Sequence, residues 1–444
     1  MLTGLPLLLA ILAAIVFIVV ASAAWKVHPF VALLLACYGL GLAVGLPPDE
    51  ITRAVSDGFG GLMGYIGLIV VLGSIIGVVL ERSGAALRIA DLIVTAVGKK
   101  RPALAMSIIG ATVSIPVFCD SGFIILSGLN NALAKRSKAS KATLALALAS
   151  GLYTTHTLVP PTPGPIAAAG NLGAGDYLGV VMLVGLLVAL PTAALAYWFA
   201  LKRGKNITIA DAELEPEARD ALPPAFRSLA PILLPILLIA AGSLLSFLKV
   251  DATWARWLQY TGSPLPALLI GMLVSFSLFK KWDKAHLTGW IGEGIQLAGP
   301  ILVVTGAGGA FGGVLKATPM AEMVGNWVES GHYLGAIFLA IAFLSAALLK
   351  TSQGSSTNAL VITSSMLAPL VGTMGFDSPF ELALVVMAIG GGAMTVSHAN
   401  DSYFWVVSQF SGIGMKDAYR SFTLMTGLQG IVVLLITLLL SWAA

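Results

Sequence analysis

Long apolar runs alternate with short polar stretches along almost the whole chain, and several of the runs are interrupted by small polar residues. Runs near 2–22, 28–46 and 60–80 read as spanning helices, since crossing the hydrocarbon core takes about 20 apolar residues. They are followed by a short amphipathic segment at 85–98, a polar-tipped stretch at 103–133, a Pro/Gly-broken span at 142–170 and a last span at 177–201. The second half offers the same parts in the same order: 229–248, 264–279, 291–315, a short segment near 320–329, then 333–369, 382–411 and 422–443. Residues 202–228, with Pro216, Pro223, Pro224 and mixed charge, read as the linker between halves.

The halves also match residue by residue. Gly73 and Gly77 pair with Gly308 and Gly312 at an offset of 235 residues, and the same offset sets Asp120-Ser121-Gly122 on Ser355-Ser356-Thr357. After a few residues of slippage, Thr155-His156 falls on Ser397-His398. Two copies of one membrane unit, each with a polar interruption in apolar sequence, is how secondary transporters build a midplane site. The stretches 103–133 and 333–369 are too long for single spans, so each reads as a re-entrant hairpin. Such backbone is tolerated at membrane depth only where protein buries it or it lines a wet cavity. Each unit then crosses five times, an odd number, and the second copy must be inverted.

Composition agrees with the membrane class: mean hydropathy is +0.93, with 57% hydrophobic and 10% charged residues. The pI near 9.0 raises the question of nucleic acid, but the basic residues lie in short clusters between spans, as topology signals do. Most of the 25 Lys and Arg fall on one side if the amino terminus is outside, among them Lys99, Lys100, Arg101, Lys135, Arg136 and Lys280. Arg53, Lys249, Arg256 and Lys316 fall on the other. Ten spans, two hairpins and both termini outside is the topology this bias predicts. Ala21-Ser22-Ala23 imitates a cleavage site, but no Lys or Arg precedes it and residues 2–22 read as a retained span. Cys37 and Cys119 both sit in apolar sequence, which argues against a disulfide framework. Trp254, Trp257, Trp282, Trp290 and Trp327 fall near span ends, as an interfacial belt would.

Ionisable groups inside membrane segments are costly and usually functional, and five stand out: Asp120, His156, Lys350, His398 and Asp401. Asp120 lies in PVFCDSGF (116–123) at the first hairpin tip, where apolar surroundings disfavour a charged carboxylate, as a proton carrier requires. The bland alternative is a capping Asp at the start of the hairpin's second helix. Asp401 is the second proton-coupling candidate. Gly354-Ser355-Ser356-Thr357-Asn358 forms the other tip, whose hydroxyls and amide can take a substrate's carboxylate and hydroxyls, or merely cap a helix. Thr155, His156 and Thr157 lead into Pro160-Pro161-Thr162-Pro163-Gly164-Pro165, where a helix cannot continue. His398 and Asn400 hold the matching place in the second half. Ser121 and Gly122 complete the candidate substrate contacts. Both histidines could bond substrate or simply bridge helices. Lys350 could pair with a substrate carboxylate or a buried Asp, or snorkel outward. No metal-ligand cluster, Walker loop or nucleophile–base pair is evident, so neither a cofactor nor enzymatic chemistry is expected. GAGGAFGG (306–313) lies within a span and reads as close helix packing rather than a nucleotide loop.

On SIPVFCDSGFIIL (114–126), HTLVPPTPGPIAAAGNLGA (156–174), SQGSSTNALVIT (352–363) and SHANDSYFW (397–405), the chain resembles the gluconate permease (gluconate:proton symporter) family of the ion transporter superfamily. The resemblance covers essentially the whole length. It implies an all-α polytopic carrier of the bacterial inner membrane, driven by protons, for gluconate, glycerate, fructuronate, hydroxybutyrate or D-serine. Superfamily relatives imply a homodimer working as an elevator. Carried onto this chain, 1–100 and 229–331 would be scaffold, and 101–201 and 332–444 the moving transport domain. Segments 85–98 and 320–329 would be linking arms. Sodium-coupled relatives carry a Ser-Asn-Thr string at both tips; here the first reads Cys119-Asp120-Ser121-Gly122, which points away from sodium. The expected function is a proton symporter for a small hydroxylated monocarboxylate, gluconate first. A sodium-coupled carrier of the same architecture and an anion channel are the alternatives.

Overall fold

The computed structural model describes residues 1–23, 25, 27–98, 100–137, 139–207, 209, 222–247, 250, 252–319, 334–398 and 401–442, and all regular structure among them is helical. The first half runs α1 (Gly4–Ala23), α2 (Pro29–Val44), α3 (Pro48–Arg82), α4 (Ala85–Val97), α5 (Pro102–Val113), α6 (Cys119–Ser137), α7 (Lys141–Leu158), α8 (Pro163–Asn171) and α9 (Leu178–Gly204). The second runs α10 (Ala225–Phe247), α11 (Thr253–Thr261), α12 (Pro264–Ser275), α13 (Ile291–Lys316), α14 (Leu334–Gln353), α15 (Ser356–Val371), α16 (Pro379–Met394), α17 (Ser402–Ser411) and α18 (Leu424–Ser441). Proline sits in the first turn of α2, α3, α5, α8, α12 and α16, where its missing N–H would find no partner anyway. Ser378 and Glu381 form a reciprocal capping box that starts α16.

Burial sorts the helices into inner and outer. Every residue of α7 from Ala142 to Leu158 is buried, as is every residue of α16 from Leu382 to Met394. Outer helices instead expose apolar ridges at three- and four-residue spacing: Leu5, Leu9, Leu12 and Val16 on α1, and Leu424, Leu428, Ile431, Leu435 and Leu439 on α18. Such ridges are what a helix presents to hydrocarbon. The two inner helices are also the broken ones. After Leu158 the chain passes a cis Pro160–Pro161 bond and restarts at Pro163. After Met394 it leaves helical geometry, with Val396 at φ 52°, a costly left-handed conformation for a β-branched residue, and the next helix begins at Ser402.

Helices α3 and α13 pack antiparallel along their length: Gly313 lies against Ala54, Gly58 against Gly309, Gly294 against Ile75. At their far end Arg82 pairs with Glu293 at 2.6 Å. A Cβ on Gly58 or Gly313 would run into a carbonyl oxygen of the opposing helix, so only glycine allows this approach. The GAGGAFGG run therefore serves helix packing.

Several expectations need correction. Among the described residues, 5 helices are by themselves long and apolar enough to cross a bilayer, or 7 if each of two bent pairs counts as one span. Several further apolar helices are 10–17 residues long. The span placed at 60–80 begins at Pro48, and α10 begins at Ala225, inside the stretch assigned to the linker. Helix α11 was not anticipated: Trp254, Trp257 and Tyr260 are exposed on it, and it bends 68° from the helix that follows. The amphipathic 85–98 segment is α4, bent 70° from α3. Its counterpart at 320–329, Trp327, Asn400 and linker residues 208 and 210–221 lie outside the described residues. Cys37 and Cys119 are buried free thiols.

Candidate functional site

Two helical hairpins and two broken helices meet in the interior. The turn between α5 and α6 delivers Asp120, Ser121 and Gly122 into the first turn of α6; Gly122 packs on Leu152 of α7. The turn between α14 and α15 runs through Gly354, whose φ of 76° suits glycine. Ser355 then caps α15, its hydroxyl accepting the Asn358 N–H at 3.2 Å. Ser356 is joined to Tyr153 of α7 by a 2.7 Å hydroxyl–hydroxyl hydrogen bond, and Thr357 lies against Gly164 at the start of α8.

Lys350, one turn before the second hairpin's bend, is 1% exposed and does not reach the surface. Its Nζ lies 2.5 Å from Asp401 Oδ2, donates to the Gly354 carbonyl at 3.1 Å, and sits 5.7 Å from the centre of the Tyr153 ring. Asp401 caps α17, accepting the Tyr403 N–H at 3.1 Å, and also accepts from the Ser397 hydroxyl. His398 Nε2 donates to the Thr351 carbonyl at 2.9 Å, the tautomer set by that acceptor. The second hairpin is thus stitched to the break before α17 by one ion pair and one imidazole bond. Asp120 is held more loosely: the Ser402 hydroxyl lies 3.5 Å from each of its oxygens.

Thr155, His156 and Thr157 lie in the last turn of α7, which continues through Leu158 and stops before the prolines. The Thr155 and Thr157 hydroxyls donate back to carbonyls of their own helix, those of Gly151 and Tyr153. His156 is buried, its ring 5.9 Å from Phe118 in the first hairpin, and its Nδ1 has no hydrogen-bond partner. The structure therefore brings Asp120, Lys350, Asp401, His398 and the second tip into one connected set.

Other members of that set carry no obvious sequence signal. Gln429 of α18 donates to the Ser150 carbonyl at 3.1 Å and to the Thr154 hydroxyl at 2.7 Å. Thr426 accepts the Ser397 N–H at 3.0 Å and Thr423 donates to the Ser397 carbonyl at 2.6 Å, so α18 and the turn before it fix the break. Tyr403 donates to the Ala149 carbonyl at 2.9 Å and packs with Tyr153, Phe123 and Phe422. A lone amide in the apolar run of α18 was the one available hint for Gln429. Asn171, at the end of α8, donates to Val361 O, Ser364 Oγ and Ser365 Oγ at 3.1, 2.7 and 2.8 Å, pinning α8 to α15.

The chain is similar to known proteins along nearly its whole length. The GntP family permease profile matches residues 5–443. A gluconate permease of Pseudomonas aeruginosa is 34% identical, covering 98% of this chain and 97% of that protein. The Escherichia coli inner membrane permease YgbN is 32% identical over 97% of each. The D-serine transporter DsdX of Escherichia coli K12 is 29% identical over 97% of each. In three dimensions the YdaH transporter of Alcanivorax borkumensis matches with a TM-score of 0.69, covering 94% of this chain and 99% of that one at 14% identity, a likeness of fold. Its apolar helices and these relatives make it a multi-pass membrane transporter and not an enzyme, and the chain belongs to the GntP family of permeases.

Proposed function

We propose that the protein is a proton-coupled symporter of the bacterial inner membrane, importing a small hydroxylated monocarboxylate, with gluconate the first candidate. The observation that carries this reading is the contrast in partners between two carboxylates of one site. Asp401 is committed to Lys350, Ser397 and the start of α17, whereas among the described residues Asp120 meets the Ser402 hydroxyl alone, at long range. A loosely held carboxylate at a hairpin tip can take and release a proton without dismantling the fold. The substrate sits between the two tips and the two breaks, with Ser355, Ser356, Thr357, Asn358, His156 and His398 as its polar contacts. Helix starts at α6, α8, α15 and α17 favour its negative charge.

The translocation step is an elevator movement: α3 and α13 belong to a static scaffold, and the hairpins with α7–α8 and α16–α17 move. Two inverted repeats of five spans, both termini outside and a homodimer through the scaffold complete the proposal. Relatives named gluconate permease support the substrate class. The D-serine transporters among them make a small hydroxylated amino acid the second substrate reading.

The test is uptake of labelled gluconate into proteoliposomes under an inward proton gradient, with sodium replaced by choline. Accumulation that follows the gradient and disappears in Asp120→Asn supports the reading, provided counterflow of labelled for unlabelled substrate persists in the variant. Uptake that requires sodium, or stays gradient-driven in Asp120→Asn, removes it.

A further inference from the structure

A cavity of about 440 Å³ lies between α3 and α13 on one side and the end of α8 and the middle of α15 on the other. It falls in the size range of small-molecule sites. Its polar lining is Asp57 of α3, Lys316 at the end of α13, Asn171 and Ser365. Ser365 lies nine residues beyond the second tip, about 13 Å along α15 at the rise of a helix. This space is therefore separate from the ion-paired centre around Lys350. Asn171 spends its amide N–H groups on α15, leaving Oδ1 as an uncommitted acceptor among the described residues. Lys316 and Asp57 are exposed, and neither forms an ion pair among the described residues.

We propose that this cavity is a second binding site for the transported solute, an outer vestibule holding a hydroxylated monocarboxylate before it reaches the tips. Lys316 takes the carboxylate by a charge-assisted hydrogen bond. Asn171 Oδ1 and Asp57 accept from the solute's hydroxyls. Asp57 also sets the selectivity, because a second carboxylate would face it in a confined space. A monoanion with hydroxyls, or a zwitterion whose ammonium meets Asp57, fits; a dicarboxylate does not. The inference rests on the transport reading above, in which the amino terminus is outside and Lys316 faces that side.

Gly61 supplies the test, because a Cβ built there meets nothing within 4 Å. Gly61→Cys is reconstituted in proteoliposomes and labelled with a membrane-impermeant thiol reagent; Cys37 and Cys119, both buried, set the background. Gly64→Cys, which also points into open space but does not line the cavity, is the control. Gluconate, glycerate or D-serine should slow labelling of Gly61→Cys, succinate should not, and Gly64→Cys should respond to none. Lys316→Gln should abolish the protection and raise the KM for uptake about tenfold with kcat unchanged, the loss of one charge-assisted bond made equally in ground and transition states. Unprotected labelling with uptake intact overturns the vestibule and leaves the transport reading standing. Protection without uptake of any of the three solutes does the reverse.

Discussion

Asp120 and Asp401 stand at equivalent kinds of place, each beside the first turn of a helix in the protein interior, yet their surroundings are opposite. Asp401 is 3% exposed and has three partners, including a buried ammonium group. Asp120 is half-buried and, among the described residues, touches one hydroxyl at 3.5 Å, beyond the range of a strong hydrogen bond. The same side chain at the same sort of helix start is a fixed anchor in one case and an uncommitted acid in the other. What decides the difference is the lysine that the second hairpin contributes and the first does not.

Removing that lysine is the severest way to probe the contrast. Lys350→Ala should destabilise the folded protein by about 3–5 kcal/mol, because it strands a buried carboxylate. Thermal unfolding in detergent reads the loss. Replacing both partners together, Lys350→Met with Asp401→Asn, should recover most of the stability, since the desolvation of both charges goes with them. A double variant as unstable as Lys350→Ala would mean that the ion pair is not the source.

Tyr153→Phe breaks the bond between α7 and the second tip at Ser356 and should cost about 1 kcal/mol, the net worth of one hydrogen bond. A weaker substrate affinity at nearly unchanged melting temperature is the expected pattern. Asp120→Asn should alter stability by less than about 1 kcal/mol, given how weakly its carboxylate is held, while removing proton-driven accumulation. If its unfolding shift matched that of Lys350→Ala, the two aspartates would not differ as described.

Arg82 and Glu293 give the mildest case. They form a two-pronged pair at 2.6 and 3.0 Å, but their side chains are 52% and 34% exposed. Arg82→Gln should shift stability by no more than about 1 kcal/mol, with the effect shrinking as salt rises. A loss comparable to that of Lys350→Ala would show that burial does not rank these two pairs.

The elements carrying this site were largely legible in sequence, because membrane physics writes them in strong characters. The prolines from Pro160 to Pro165 and the polar strings at 119–122 and 354–358 interrupt apolar runs, so both breaks and both hairpins follow from local composition. Partners were not legible. Nothing in the sequence placed Lys350 against Asp401 rather than against a substrate, since the packing of α14 on α16 is what brings Lys350 to the start of α17. Gln429, Tyr153 and Tyr403 were missed for the same reason: the meaning of each polar atom depends on the partner it faces across the fold. Helix α7 runs up to the proline-rich stop, which leaves Thr155 and Thr157 to satisfy themselves locally. Helix α11 escaped notice because its amphipathic pattern spans only nine residues.

The complete burial of α7 and α16 has a consequence for how such a carrier can diversify. Contact with lipid falls to helices such as α1, α9 and α18, whose outer ridges must stay greasy whatever is being carried. The inner pair answers only to its protein neighbours and to the solute, so replacing a hydroxyl or an amide there imposes no insertion penalty on the bilayer side. Selectivity can therefore be rewritten on these two helices while the coat that keeps the molecule in the membrane stays untouched.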